Sequence, residues 1–246
     1  MEDFFVSRRN TIQEESVISV QKGVLTVLTI KDMYDLEHTL AKDYLSQFTY
    51  PWEALKGIKD LIVSLGENLG EDYEEVSPKV WVHRTAVVAP TAFLGAPCII
   101  GPETEVRHCA FIRGSALVGS KCVVGNSVEL KNVILFDNVQ TPHYNYVGDS
   151  ILGYKSHMGA GSITSNVKQD QRNVVVHNHG EEIETGMKKF GAMLGDWVEV
   201  GCNSVLNPGT VVGRHSNIYP LSCVRGVVPE NHIWKNNGTL IAKEER

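Results

Sequence analysis

Arg113 and Lys131 stand eighteen residues apart, each at a position where the surrounding chain most often carries glycine. If eighteen residues return the backbone to the same place one layer up, the two cations lie roughly 5 Å apart on one edge. Like charges that close repel unless they share an anion, and a phosphate would serve. The alternative is two long side chains splayed into solvent. His143 offers different chemistry, since imidazole can take a proton from an attacking amine near neutral pH. One layer further on, Ala160 falls over it within Gly159-Ala160-Gly161. A backbone N–H there can hold the oxyanion of a tetrahedral intermediate. Together these are the parts of acyl transfer to an amine on an anionic substrate, although a solitary histidine is more often structural than catalytic.

The layering that would assemble these residues comes from a repeat. From Val82 an aliphatic residue recurs every six positions through Val88, Leu94, Ile100, Val106, Ile112, Val118, Val124 and Leu130. A five-residue step then leads to Leu135, Thr141 and Val147, and a second one to Leu152, Met158 and Thr164. The period returns from Leu194 to Val224, with glycine often following the aliphatic and a small residue four positions on. Six fits neither the helix period nor a long strand; it fits a triangular solenoid in which each hexad makes one short strand and a corner. The aliphatic points inward, the small residue fits the corner, and glycine is expected to supply backbone freedom. Three hexads close a coil, so about seven coils at ~4.8 Å make a prism roughly 34 Å tall.

Residues 167–193 break the period. Val174 and Val176 alternate before a His-Asn-His-Gly turn, which predicts a hairpin loop thrown out from the prism; such excursions often carry function. Residues 1–77 are of another kind. One or two strands are expected over 17–30, and a helix over 31–47 with Met33, Leu36, Leu40, Tyr44 and Leu45 on one side. A second helix should start at Pro51, gather Leu55, Ile58, Leu61, Ile62 and Leu65, and stop near Gly66 or Gly70. The chain thus divides into an N-terminal helical cap region (1–77), a β-helix (78–232) and a C-terminal tail (233–246).

Of 246 residues, 42% are hydrophobic and 21% charged, with a net charge of −6. That balance argues against a nucleic-acid binder and lets a small anion bind only at a local basic site. No apolar run reaches the ~18 residues of a membrane helix, and MEDFFVSRRNTIQEE carries charges where a signal peptide needs an apolar core. No membrane association and a cytoplasmic location are expected. Cys98, Cys109, Cys122, Cys202 and Cys223 are irregularly spaced, with no CxxC pair, and read as free thiols packed as small apolar residues.

The stretch from Arg113 to Asn166, through IRGSA, VELKN, HYNYVGDSILG and MGAGSITSN, resembles the acetyltransferase half of the bifunctional N-acetylglucosamine-1-phosphate uridyltransferase/glucosamine-1-phosphate acetyltransferases. It is also similar to the C-terminal domain of archaeal sugar-1-phosphate nucleotidyltransferases. The resemblance implies an all-β solenoid, the left-handed parallel β-helix of hexapeptide acyltransferases, assembled as a homotrimer with sites between neighbouring prisms. Handedness rests on the resemblance alone, because parallel crossovers generally favour the right hand. The implied activity is acetyl-CoA-dependent N-acetylation of an amino-sugar phosphate, of glucosamine- or galactosamine-1-phosphate type, with no metal.

By the same resemblance Arg113 and Lys131 bind the sugar phosphate, His143 is the general base, and Tyr146 and Asn166 serve the substrate. Ala160 meets the acyl group. ETGMKKFGAMLGDWVEVG is similar to the archaeal form and adds Lys188 or Lys189 as a phosphate or CoA contact, while Cys202 and Pro220 fall beside CoA. Two positions depart from the family pattern. His157 stands where a substrate-binding Asn is usual, which leaves the sugar open, and Cys202 replaces a Ser of the bacterial enzymes. Residues 1–77 show no GxGTRM-type nucleotide loop, so nucleotide transfer is not expected and a pyrophosphorylase-type label would attach through the β-helix alone. Three rivals stay open: a non-catalytic β-helix binding a sugar phosphate or sugar nucleotide, an acyltransferase for a nucleotide-linked amino sugar, and a zinc-dependent carbonic anhydrase-like enzyme. Against the last, His177 and His179 are two apart and no H-x4-H pattern occurs.

Overall fold

The computed structural model describes residues 28–244. Every repeat aliphatic from Ile100 to Val224 is buried, together with the threonines that replace it at Thr141 and Thr164. The small residues four positions on, such as Cys98, Thr104, Ala110 and Ala116, are buried with them. The chain winds as a left-handed parallel β-helix of hexapeptide repeats. Its first face stacks Val80–His83, Cys98–Ile100, Ala116–Val118, Ala192–Leu194, Thr210–Val212 and Val227–Val228 in parallel register. The second carries Phe93–Leu94, Phe111–Ile112, Ile163–Thr164, Val205–Leu206 and Cys223–Val224. The third runs from Val87–Val88 through Gln140–His143 and His157–Met158 to His232–Trp234.

Two strands bridge faces. Glu129–Leu135 and Tyr146–Leu152 run unbroken from the second face into the first and pair along almost their whole length. They coincide with the two five-residue steps. Losing one residue reduces the corner to a single left-handed residue, Asn132 (φ 55°) in one strand and Asp149 (φ 47°) in the other. Asn and Asp tolerate that region better than most side chains do.

Glycine does not play the part expected of it. The residues in the left-handed region at many corners are non-glycine, among them Lys121, Ser127, Asn203 and His215. The repeat glycines are required instead by close approach of the next coil: a Cβ on Gly101 would lie 2.5 Å from the Gly119 carbonyl oxygen, and one on Gly125 only 1.6 Å from that of Pro142.

The excursion over 167–193 contains the expected hairpin, Val175–Asn178 paired antiparallel with Glu181–Glu184. It is not thrown outward. Val174, Val176, Met187 and Phe190 are buried, and Val174 lies against Gly209 while the His177 carbonyl lies over Gly226. An apolar side that large must be covered, and the solenoid wall covers it. The coil then resumes in register, Ile151 opposite Met193 and Leu152 opposite Leu194.

The N-terminal region departs further. The strands expected over 17–30 fall outside the described residues except at the end, where Ile30 opens a short helix. The single helix expected over 31–47 is three one-turn pieces, Ile30–Met33, Leu36–His38 and Lys42–Leu45. Tertiary contacts break it. Tyr34 turns extended (φ −132°, ψ 136°) to set its ring against Phe136, 5.1 Å between centroids, and the Asp35 N–H donates to Asp196 Oδ2 at 2.7 Å. The second helix begins at Pro51 as expected, but as a 3₁₀ turn, Pro51–Gly57, before the α-helix Ile58–Gly66. These elements lie along the side of the prism rather than capping an end. The His38 and Met33 carbonyls accept from the N–H groups of Asp137 and Asp196, both at 3.0 Å, and Asn132 Nδ2 donates to the Leu55 carbonyl at 3.2 Å. Tyr73–Ser77, antiparallel to Val80–His83, covers one end strand, and Leu240–Ala242 covers the other.

Asp196 clamps this arrangement. Its fully buried carboxylate also accepts from the Tyr154 N–H at 2.8 Å and pairs with Arg214 at 3.1 Å. Asp196→Asn turns one acceptor into a donor facing a donor, so a loss of about 2 kcal/mol is expected in urea denaturation. Unchanged stability would mean the clamp does not hold residues 30–38. Among the described residues no helix is long and apolar enough to cross a membrane. The cysteines are all free, but only Cys98 and Cys122 are packed as expected, burial pushing both thiols up to about 12. Cys109, Cys202 and Cys223 are exposed because their positions in the coil face outward.

Candidate active site

The two bridging strands carry the charged residues singled out by spacing. Leu130 pairs with Ile112 below it, so Lys131 stacks on Arg113, and Lys131 pairs with Gly148 above. The cations are held by countercharges rather than left to repel one another. Each already meets a carboxylate: Arg113 Nη1 lies 2.8 Å from Glu129 Oε1, and Lys131 Nζ lies 3.2 and 3.1 Å from Asp149 Oδ1 and Oδ2. The carboxylates cancel the repulsion that spacing alone left unbalanced.

Asp149 is the hub, its side chain only 6% exposed. It accepts from Asn132 Nδ2 at 2.9 Å and from Asn166 Nδ2, and Asn166 also donates to the Tyr146 hydroxyl at 3.2 Å. The Tyr146 ring folds over Gly148, where a Cβ would lie 2.5 Å from its hydroxyl oxygen. Burial, then the charges of Asp149 and Glu129, push the Tyr146 phenol up, so it remains a neutral hydrogen-bonding group. Lys131, Tyr146 and Asn166 are therefore joined through Asp149, with the Arg113–Glu129 pair stacked beside them one coil below.

His143 ends the third face, one corner away. Only Tyr146, Val147 and Gly148 separate that corner from Asp149, about 10 Å of strand. The His143 ring is exposed and makes no hydrogen bond among the described residues, while its carbonyl accepts from Gly161 in the next coil at 3.0 Å. That bond stacks Ala160 over His143, as the register implies. The Ala160 carbonyl accepts from Asn203 at 2.9 Å; its N–H donates to nothing among the described residues and is available to a ligand.

His157 is not drawn into the cation network. It pairs through Nδ1 with Glu199 Oε2 at 2.9 Å in a groove of about 330 Å³ on the third face, shared with Gly159, Cys202, Tyr219 and Pro220. Lys188 and Lys189 part company with Cys202 and Pro220, because the excursion folds back along the first face. They line a separate pocket with Lys131. Among the described residues no group of three or more His, Cys, Asp or Glu side chains is arranged to hold a metal ion; His177 pairs with Glu182 across the hairpin at 3.3 Å.

A family model described as the GMPPB C-terminal domain matches residues 97–228, more than half of the 246. The chain belongs to this family. Among its relatives is a "Bifunctional protein GlmU" of Methanococcus maripaludis, 30% identical over 208 residues that cover 82% of this chain and 50% of the relative. Another is a "Bifunctional sugar-1-phosphate nucleotidylyltransferase/acetyltransferase" of Sulfurisphaera tokodaii, 32% identical over 106 residues, 43% of this chain and 26% of that one. The chain thus spans half or less of the length of these relatives. A solved hexapeptide transferase family protein from Anaplasma phagocytophilum aligns over 67% of this chain and 79% of its own at 13% identity, with a TM-score of 0.37.

Reading the sequence missed the carboxylates and one amide of this family member's site. Asp149 follows Gly148, the residue that the five-residue step stacks on Lys131, so its signal was present in the register. Asn145, almost fully buried, accepts the His143 N–H at 3.2 Å and donates to the carbonyls of Gly159 and Ser162 at 2.8 and 3.1 Å. It fixes the backbone of His143 relative to the turn that carries Ala160. Nothing in its own spacing marked it.

Proposed function

We propose that this chain transfers an acetyl group from acetyl-CoA to the amine of an amino-sugar phosphate. The observation that carries the reading is the joining of Lys131, Tyr146 and Asn166 through Asp149, with Arg113 stacked one coil below, beside the corner of His143 and Ala160. The acetyltransferase activity named for the Sulfurisphaera tokodaii relative supports it.

The phosphate sits against Arg113 and Lys131. Their carboxylate partners keep both side chains in place before substrate arrives, and an ammonium bound to Asp149 still has N–H groups to give. His143 takes a proton from the substrate amine, whose nitrogen attacks the thioester carbonyl carbon. The carbonyl oxygen becomes an oxyanion held by the Ala160 N–H. Collapse breaks the C–S bond, and the imidazolium returns its proton to the leaving thiolate. No cysteine and no metal takes part. CoA lies in the groove of His157, Cys202 and Pro220, which reaches Gly159 and so the acyl site. A homotrimer brings the groove of one prism to the sugar site of the next.

Full-length protein with acetyl-CoA, glucosamine 1-phosphate or galactosamine 1-phosphate, and a thiol reagent tests this. Acceptor-dependent thiol release is expected. Arg113→Gln should raise the acceptor KM about 10- to 100-fold, the worth of one charge-assisted hydrogen bond. Phosphosugar binding without thiol release from any amino sugar would leave a non-catalytic binding module instead.

A further inference from the structure

The N-terminal helical elements form one wall of a pocket as well as packing against the solenoid. A pocket of about 490 Å³ opens between them and the solenoid, and five of its lining residues are lysines: Lys56, Lys59, Lys131, Lys188 and Lys189. That volume lies within the ~300–1,000 Å³ usual for small-molecule sites. Lys131 forms part of the floor, its charge matched by Asp149. Among the described residues the other four have no carboxylate within 4.0 Å. Four unpaired ammonium groups around one pocket, in a chain of net charge −6, are a local reversal of the protein's overall charge.

Both walls are built rather than loose. Lys56 lies in the last turn of the 3₁₀ helix Pro51–Gly57 and Lys59 in the first turn of Ile58–Gly66, three residues apart and therefore on one side. That wall is fastened by Asn132 Nδ2 on the Leu55 carbonyl. Lys188 and Lys189 lie between the buried Met187 and Phe190. Their wall is fastened by the N–H groups of Phe190 and Gly191 on the carbonyls of Asn166 and Asp149, at 3.0 and 2.8 Å. Trp52 stacks on Phe190 at 5.7 Å and ties the two walls together.

The geometry points to a diphosphate-binding pocket, in which Lys56 and Lys59 from one wall and Lys188 and Lys189 from the other hold two linked phosphoryl groups above Lys131. Two pairs of point charges on opposite walls suit two phosphoryl groups better than one, and lysine meets phosphate as a compact charge without needing a fixed fork. The diphosphate belongs either to a nucleoside diphosphate-linked amino sugar, an acceptor in place of the 1-phosphate, or to a CoA whose other end lies in the groove of a neighbouring prism. The inference deepens the proposed function and rests on it for the sugar; the binding of a diphosphate does not depend on it.

Calorimetric titration of the full chain with inorganic phosphate, pyrophosphate, UDP and CoA tests the pocket. Pyrophosphate is expected to bind at least 10-fold more tightly than phosphate. Lys56→Gln with Lys59→Gln, and separately Lys188→Gln with Lys189→Gln, should each weaken it at least 10-fold with an unchanged melting temperature. Lys56→Arg with Lys59→Arg should retain binding, as should Lys121→Gln, which lies outside the pocket. Tighter UDP than CoA assigns the pocket to the acceptor, and the reverse to the donor. Equal affinity for phosphate and pyrophosphate, or glutamine pairs that bind pyrophosphate as wild type does, overturns the inference. His143→Ala should bind pyrophosphate normally. A chain that binds pyrophosphate through these lysines but acetylates no amino sugar keeps the pocket and loses the proposed function. One that acetylates, with pyrophosphate binding indifferent to the lysines, does the opposite.

Discussion

Replacing His143 with alanine is expected to slow acetyl transfer by about 100- to 10,000-fold, the usual worth of a general base, with little change in the acceptor KM. The ring is exposed and bonded to nothing among the described residues, so its removal opens no cavity and strands no partner. The backbone at this position is held independently, by Asn145 on its N–H and by Gly161 on its carbonyl. Stability should therefore stay within about 0.5 kcal/mol of wild type, as for other surface changes. Asn145→Ala makes the informative contrast. It strands buried groups of two coils, so it should lower stability and rate together. Equal rates in wild type and His143→Ala would remove the imidazole from the chemistry.

Asp149→Ala is expected to cost about 3 kcal/mol in stability, at the lower end for breaking a buried charge pair because Lys131 keeps some contact with water. The loss has several parts. Lys131, Asn132 and Asn166 each lose an acceptor, and alanine is left at φ 47°, a region asparagine and aspartate tolerate better. Asn132 also holds the Leu55 carbonyl, so the N-terminal elements should loosen and become more open to protease. Asp149→Asn keeps the backbone preference and one acceptor, and should lose less than half as much. Urea denaturation of the two variants separates charge from conformation. A change below about 0.5 kcal/mol in Asp149→Ala would show that the hub holds nothing.

What could be read from the sequence followed the period. Six-residue steps placed Ile100, Val124 and Val212 inside without error, and the two five-residue steps marked the strands Glu129–Leu135 and Tyr146–Leu152 on which the cation network is built. The same arithmetic put Ala160 over His143. Where periodicity ended, so did foresight. The alternation of Val174 and Val176 announced a hairpin, yet an apolar side says only that it must be covered, not by which surface. The helical pattern over 31–47 was real as an amphipathic pattern, but Asp196, far along the chain, draws Asp35 out of it. Lys56 and Lys59 have no fixed sequence relation to Lys131, because nothing periodic links the helical region to the coil it packs against. Glycine is ambiguous for a different reason: a close approach and a left-handed turn both select it, and only the packing of the next coil distinguishes them.

The most direct test is a structure of the full chain with CoA and glucosamine 1-phosphate bound together. The expected result is the phosphate against Arg113 and Lys131, with the amine about 3 Å from a His143 ring nitrogen, hydrogen-bonding distance for proton transfer, in the same prism or its neighbour. A phosphate held at those two cations with the amine remote from every His143 ring would contradict it.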